Sequence, residues 1–459
     1  MRHKSNDVIL RARNGDVIAW DDTGLVLRLS DEVIADIAAR LGLGTQSASV
    51  SDTSALGDID AWNPRQSGDW IVFDACLSPF NYSRSYRVPA RGGDVIADTP
   101  GPLMALLTIG GPSASDAYEA TARYRHHVVA PADELGASGG GGTVSNSAES
   151  GLQTLAEATQ ISDFADAVLS ARHGASRALP LVVARAETDG STTIEALLSG
   201  PAMENLSKVI DGLVKAASSL EKPARILAIT VDYGPEDITT DPTSFVATMG
   251  HLVDALLAEV HKHGLGEPVI LLRCDRLGMR MSEQWYLSML SGRSKLVVPA
   301  PGYMFEKDGF GRLTRDGSLA QAAMDSAALD TVLTGERWQC PVPLLAERIA
   351  GQNNEIEVIV AAAEDLLIDS GNPLGAADGF GFELLDEGGT SVAISEIKVA
   401  SSDARALHLR TAKKLPKGKL TLRYAMSGPG ALRDLWEHPS WHGSPTLHRW
   451  ALPAELQVW

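Results

Sequence analysis

The chain predicts an α/β fold: a doubly wound, mostly parallel sheet, followed by a C-terminal β-sandwich and preceded by a small hairpin-plus-helix module. Three observations carry this expectation. Between residues 103 and 333, five apolar runs alternate with helical stretches, as expected of strands buried on both faces and joined by helical crossovers. After Gln339 the rhythm changes to short strand-like segments separated by turn residues. The first 60 residues hold too little apolar pattern to make a core alone. A chain of 459 residues and 48.6 kDa also exceeds one ordinary core, so several domains are expected.

Taken in order, Asp7 to Asp21 reads DVILRARNGDVIAWD, two alternating runs around Asn14-Gly15, a strong short-range hairpin signal. Ser30 to Leu43 predicts a helix, with Ser30 as N-cap, Val33, Ile34, Ile37 and Leu41 on one face, and Gly42 as a stop. A polar stretch, GTQSASVSDTSALGD, reads as a linker, which sets residues 1–60 apart as an attachment or oligomerisation module. The α/β body is placed at 61–340. Its expected strands are LMALLTIG (103–110), LPLVVARA (179–186), ARILAITVDYG (224–234), PVILLRCD (268–275) and SKLVVPAPG (294–302). Its expected helices are 151–173, 205–220, 244–263, 282–290 and 318–333. The glycine-rich stretch ELGASGGGGTVSNSAESG (134–151) reads as a flexible insertion. No Lys-Ser or Lys-Thr follows its glycines, so it lacks the marks of a phosphate cradle. Residues 341–459 then form the sandwich, with Trp436, Trp441, Trp450 and Trp459 crowded near its end.

Composition narrows the function. Forty Lys and Arg against 58 Asp and Glu leave a net charge of −18, which argues against general nucleic-acid binding and against an anionic membrane surface. No apolar run approaches the ~20 residues that span a bilayer, and the start of the chain has no secretory h-region. Cys76, Cys274 and Cys340 are odd in number and far apart, so neither a disulfide framework nor a zinc spacing is expected. His126-His127 and the pair His261 and His263 read as loop and helix-end histidines rather than as metal ligands. No cofactor or metal is expected.

Five short blocks then occur in one order. Gly111-Pro112-Ser113-Ala114-Ser115 ends the first long strand. Gly190-Ser191-Thr192-Thr193-Ile194 and Tyr233-Gly234-Pro235-Glu236-Asp237 follow later strands. Asp308-Gly309-Phe310-Gly311-Arg312 comes next, and GALRD (430–434) with LHRWALP (447–453) closes the chain. Over roughly residues 100 to 459 this pattern resembles the SGNH-type hydrolases, and within them the sialate O-acetylesterase-like enzymes often encoded by phages with a C-terminal β-sandwich. The resemblance implies Ser113 as the nucleophile and Asp308 as the acid of the triad. It also implies a groove lined by Gly190, Thr192, Tyr233, Asp237 and Arg312. Tyr233 would stack on a sugar ring, and Arg312 would grip hydroxyls or a uronate carboxylate.

The same blocks depart from the chemistry. Gly311 stands where the resemblance puts a histidine, and the next residue, Arg312, keeps its proton at any ordinary pH and cannot accept one from serine. Pro112 and Tyr233 replace the two side-chain amides. Loss of one triad member costs roughly 10³ to 10⁶ in turnover. Ser113 and Asp308 are therefore read as vestigial, and the chain as a degenerate hydrolase that binds cell-surface or capsular polysaccharide. The architecture suggests a fibre or spike of a phage or gene-transfer-agent particle, made in the bacterial cytoplasm. Residues 1–60 would join a capsid or spike-base protein, and the chain would act as a homo-oligomer. Two alternatives stand beside this: an active O-acetylesterase with a base such as His126 or His173, and a structural connector without ligand.

Overall fold

A computed structural model describes residues 54–133, 135–143, 151–234, 236–237, 239–273, 295–439 and 446–459, and as backbone strands residues 7–12, 15–21 and 24–27. The predicted hairpin is β1 (Asp7–Ala12) and β2 (Gly15–Asp21), antiparallel, with Ala12 opposite Gly15. A third strand, β3 (Gly24–Leu27), pairs with β2 and has no turn signal strong enough to predict it. The expected helix over 30–43 and most of the linker lie outside the described residues.

Residues 61–97 form a four-stranded antiparallel sheet, β4 (Ala61–Ser67), β5 (Trp70–Ala75), β6 (Arg84–Pro89) and β7 (Ile96–Ala97). It has its own small core of Leu56, Ile71, Phe73, Ala75, Tyr86, Val88 and Ala97. Leu56 belongs to the stretch read as a linker, so that stretch ends in packed structure.

The fold is mixed α/β with several sheets, and the sheet that positions the site is seven-stranded. Its members are β8 (Leu103–Gly110), β10 (Val128–Pro131), β11 (Leu152–Thr154), β13 (Leu181–Thr188), β14 (Ala224–Asp232), β15 (Val269–Leu272) and β16 (Leu296–Val297). They lie in the order β11-β10-β13-β8-β14-β15-β16, and only β11 runs antiparallel to its neighbour. Every residue of β8 and β13 is buried, which is why neither shows the alternation of a half-exposed strand; β13 carries Arg185 and Glu187 within its buried run. Two short strands, β9 (Ala117–Tyr118) and β12 (Ala158–Thr159), pair beside this sheet.

The helices are α1 (Gln160–Gly174), α2 (Ile194–Ser199), α3 (Pro201–Ser219), α4 (Pro242–Lys262) and α5 (Arg315–Leu333). The helix expected over 151–173 begins nine residues late, because β11 and β12 use the backbone groups of its first part for sheet pairing. Thr159 then closes a capping box with Ser162. The stretch 282–290 lies outside the described residues.

The glycine-rich stretch is held down where it is described. The Gly140 N–H donates to Glu187 Oε2 at 3.0 Å, and Arg185 donates to the Gly136 carbonyl at 2.6 Å while pairing with Asp133 and Glu187. Gly139 has φ +75°, and a Cβ there would lie 2.0 Å from the Ala186 carbonyl oxygen, so this glycine is fixed by close approach rather than by flexibility.

The C-terminal region carries a second seven-stranded sheet. Its strands are β17 (Val342–Arg348), β18 (Glu355–Ala361), β20 (Phe382–Asp386), β21 (Ile394–Val399), β22 (Ala406–Thr411), β23 (Leu420–Tyr424) and β26 (Ala454–Val458). A three-stranded sheet accompanies it, with β19 (Leu366–Ile368), β24 (Leu432–His438) and β25 (Leu447–Trp450). One core contains residues of both, among them Val358, Phe382, Leu422, Leu366 and Leu432. Alternating burial along β18 and β23 gives the period-two pattern visible in the sequence. The closing blocks meet inside: Asp434, fully buried, pairs with Arg449 at 2.7 Å, whose guanidinium lies over Trp338 and Trp436. Trp450 is buried, Trp459 is exposed, and Trp441 lies outside the described residues.

Candidate functional site

The site lies at the carboxyl ends of β8, β13, β14 and β15, where open α/β sheets hold ligands. Strand β8 ends at Gly110, a close-approach position: a Cβ there would lie 2.3 Å from the Asp232 carbonyl oxygen. The Gly111 N–H donates to that same oxygen at 3.0 Å, and a short 3-10 turn, Pro112–Ser115, carries Ser113 away from the sheet. Ser113 is half-buried. Among the described residues its hydroxyl has no hydrogen-bond partner, so no base is in place to take its proton.

The two histidines considered as bases sit elsewhere. His173 ends α1, whereas Gln160 at the start of that helix touches the Ser113 carbonyl, so the length of α1 separates them by about 20 Å. The ring of His173 meets the Tyr124 and Tyr82 hydroxyls. His126 precedes β10 at the amino ends of the strands, with Nδ1 on the Val95 carbonyl at 2.8 Å. Strand β8 alone puts about 25 Å between that end and Ser113. Both candidates are thereby ruled out as partners of Ser113 in this conformation.

Beneath the serine turn lies a group of polar residues that the five sequence blocks do not include. Gln160 donates to the Ser113 carbonyl at 2.7 Å and accepts from Arg273 at 3.1 Å. Arg273, directly after β15, pairs with Asp325 of α5 at 2.8 Å and with Asp232 at the end of β14 at 3.2 Å. Burial alone pulls the guanidinium down, but Asp325 and Asp232 outweigh it and hold Arg273 protonated above its ordinary value. Asp325 is fully buried on α5, whose buried residues include the polar Ser318, Gln321 and Ser326 beside Ala322, Ala328 and Leu329, so its burial is not singled out by the helix pattern.

The predicted groove residues divide. Gly190 and Thr192 are exposed in the loop between β13 and α2. Tyr233 is only 1% exposed, with its hydroxyl donating to the Ser191 carbonyl at 2.8 Å, so it presents no ring for a sugar to stack on. Burial, then Glu236 and Asp237, raise its pKa well above the phenol range. Asp237 is also removed from the groove. It is fully buried, and its carboxylate accepts the N–H groups of Ile194, Thr239 and Thr240, which caps the start of α2. Glu236, one residue earlier and partly exposed, does reach the site: a Cβ on Gly111 would lie 1.8 Å from its Oε1.

Asp308 and Arg312 come together, Oδ2 to Nε at 3.0 Å, and neither hydrogen-bonds Ser113. The Asp308 carboxylate also accepts the N–H groups of Phe310 and Arg312. Desolvation opposes the shift, but these donors and the guanidinium together outweigh it and lower its pKa. The turn that they close presents Phe310, 88% exposed, with the Arg312 guanidinium 5.6 Å from its ring centroid. At the base of this turn, the Leu313 carbonyl accepts from Tyr118, five residues beyond Ser113. Among the described residues of the five blocks, Phe310 rather than Tyr233 presents an exposed aromatic ring. Sequence pattern does not reveal it, because exposure of a single aromatic in a turn leaves no periodic trace.

A scan against protein-family models finds no match, and a search of curated proteins finds none. Solved structures give distant likenesses. A carbohydrate acetylesterase from Xanthomonas citri aligns with 85% of this chain and 95% of its own length, at 10% identity and a TM-score of 0.49. NanS aligns with 52% of this chain and 99% of its own length, at 11% identity and a TM-score of 0.33. A tail fibre protein from a phage of E. coli aligns with 70% of this chain and 34% of its own length, at 10% identity and a TM-score of 0.25. Likenesses this distant carry no argument about activity, ligand or partner. No described helix is long and apolar enough to cross a membrane.

Proposed function

We propose that the chain binds a cell-surface polysaccharide at the Ser113 end of the parallel sheet without hydrolysing it, as a degenerate SGNH-type domain. The observation that carries this reading is the Ser113 hydroxyl, half-buried and without a proton acceptor among the described residues. Exposed Gly190 and Thr192, together with the Phe310–Arg312 turn, supply polar and aromatic surface for a glycan. The Glu236 carboxylate stands beside the serine turn, so a neutral, hydroxyl-rich glycan suits the site better than a uronate. In this proposal residues 61–340 are the doubly wound hydrolase-like body and 341–459 the sandwich. Residues 1–60 attach an oligomer to a phage-like particle. A glycan array combined with an ester-hydrolysis assay on acetylated oligosaccharides tests it. Binding without turnover is expected; robust hydrolysis that disappears in Ser113→Ala overturns it.

Glu236 favours a second reading, an esterase with a carboxylate base, because its side chain packs on the serine turn. Hydrolysis lost in both Ser113→Ala and Glu236→Gln would establish that reading in place of the first.

A further inference from the structure

A cavity of about 720 Å³, in the size range of small-molecule sites, opens along the β11 edge of the parallel sheet and shares no lining residue with the Ser113 site. Its walls come from three places: the β4–β7 sheet, the edge strand β11, and the end of α3. The last of these walls, Ser218 to Glu221, immediately precedes the start of β14, whereas Ser113 follows the end of β8.

Trp70 lines this cavity and is only half-buried, although it is one of the two largest apolar side chains of its sheet. Its ring is held in place by the Arg87 guanidinium, 5.7 Å from the centroid, and Arg87 is itself fixed by an ion pair with Asp98. Around the tryptophan stand Asp69, Gln153, Ser218 and Glu221, whose side chains make no hydrogen bond to any described residue. Two carboxylates, an amide and a hydroxyl thus remain uncommitted around one anchored indole. The other cavity carboxylate, Asp94, is spent on Thr154, and the one cavity arginine is neutralised by Asp98.

That chemistry selects a ligand class. An indole face accepts the C–H face of a pyranose ring, and carboxylate and amide groups take vicinal hydroxyls as bidentate partners. The surplus of carboxylates repels phosphates, nucleotides and uronates. We infer that this cavity is a second, neutral-oligosaccharide site, independent of the cleft at Ser113. It goes beyond the proposed function, since either site can exist without the other. If both bind, one chain holds two points on one polysaccharide, and the linked affinity exceeds either alone.

Isothermal titration with short neutral glucan, mannan and galactan oligosaccharides, and with alginate oligosaccharides as the uronate control, tests the inference. Saturable binding of at least one neutral probe and none of alginate is expected, weakened at least tenfold in Trp70→Leu. Because Trp70→Leu is open to misfolding, the exposed Asp69→Ala and Glu221→Ala and the half-buried Gln153→Ala are measured beside it, each expected to weaken binding several-fold at an unchanged melting temperature. Ser113→Ala and Arg312→Ala should leave this binding intact, which separates its failure from failure of the Ser113 site. No neutral probe binding at millimolar concentration overturns the inference. So does binding that survives all four cavity substitutions, or binding that only Ser113→Ala or Arg312→Ala removes.

Discussion

Two arginine–aspartate pairs differ in burial and in how far apart their members lie in the chain. Arg273 and Asp325 have side chains 2% and 1% exposed, and they meet from β15 and α5, 52 residues apart. Arg312 and Asp308 are 57% and 31% exposed and lie four residues apart in one turn. The same pair of functional groups is a structural keystone in one place and an adaptable surface in the other. Water screens the exposed pair and leaves it free to exchange its partner for a ligand. The buried pair has no alternative partner, so removing either member strands a charge in the core.

The largest loss of stability is expected from Arg273→Met. It should cost about 3–5 kcal/mol in chemical denaturation, because the fully buried Asp325 loses its counter-ion, as does the half-buried Asp232. The double variant Arg273→Met with Asp325→Leu should lose less than Arg273→Met alone. A full additive loss would mean that the pair is not acting as a unit.

Gly110→Ala comes next. Its Cβ would lie 2.3 Å from the Asp232 carbonyl, so the strand end and serine turn must shift, at about 1–3 kcal/mol by denaturation. An unchanged stability would show that the turn is less tightly seated than this contact implies.

A third test uses Asp166 of α1, another buried carboxyl near this end of the sheet. Burial pushes it from 3.8 up to about 7, against the opposing N–H donors of Tyr124 and Arg123. A raised acid holds its proton in the folded state where the unfolded chain has released it. The associated stability is therefore full below about pH 4 and is lost as pH rises through 7. Melting curves across that window should decline with pH in the native protein and flatten in Asp166→Asn. A slope that persists in the variant assigns the effect to other groups.

The smallest effect on stability belongs to the exposed pair. Arg312→Ala and Asp308→Ala should leave the denaturation midpoint where it is while weakening glycan binding at the Ser113 end several-fold. A shift in midpoint would place this turn among the structural elements.

Much of the fold is legible because long-range burial writes itself into local pattern. LMALLTIG is β8 with the bounds read from the sequence, and the runs that form β13, β14 and β15 are found within a few residues. The parallel strand β10 escapes that pattern, being four residues long with no helical stretch announcing it. The site is less legible. Ser113 stands at a strand end, as expected, yet Tyr233 and Asp237, both expected in the groove, turn inward. At a strand end, alternation no longer tells which side a residue faces.

By itself the sequence determined the long parallel strands, because burial on both faces favours predominantly apolar runs, whereas helix bounds were legible only coarsely: α1 begins nine residues later than read, and the short α2 is not announced. It also determined that Gly311 and then Arg312 stand where the resemblance requires a proton acceptor. Tertiary structure alone decided which charges are interior. Arg273 and Asp325 become tolerable in a core only when distant segments bring them together, and no local spacing encodes a partner 52 residues away.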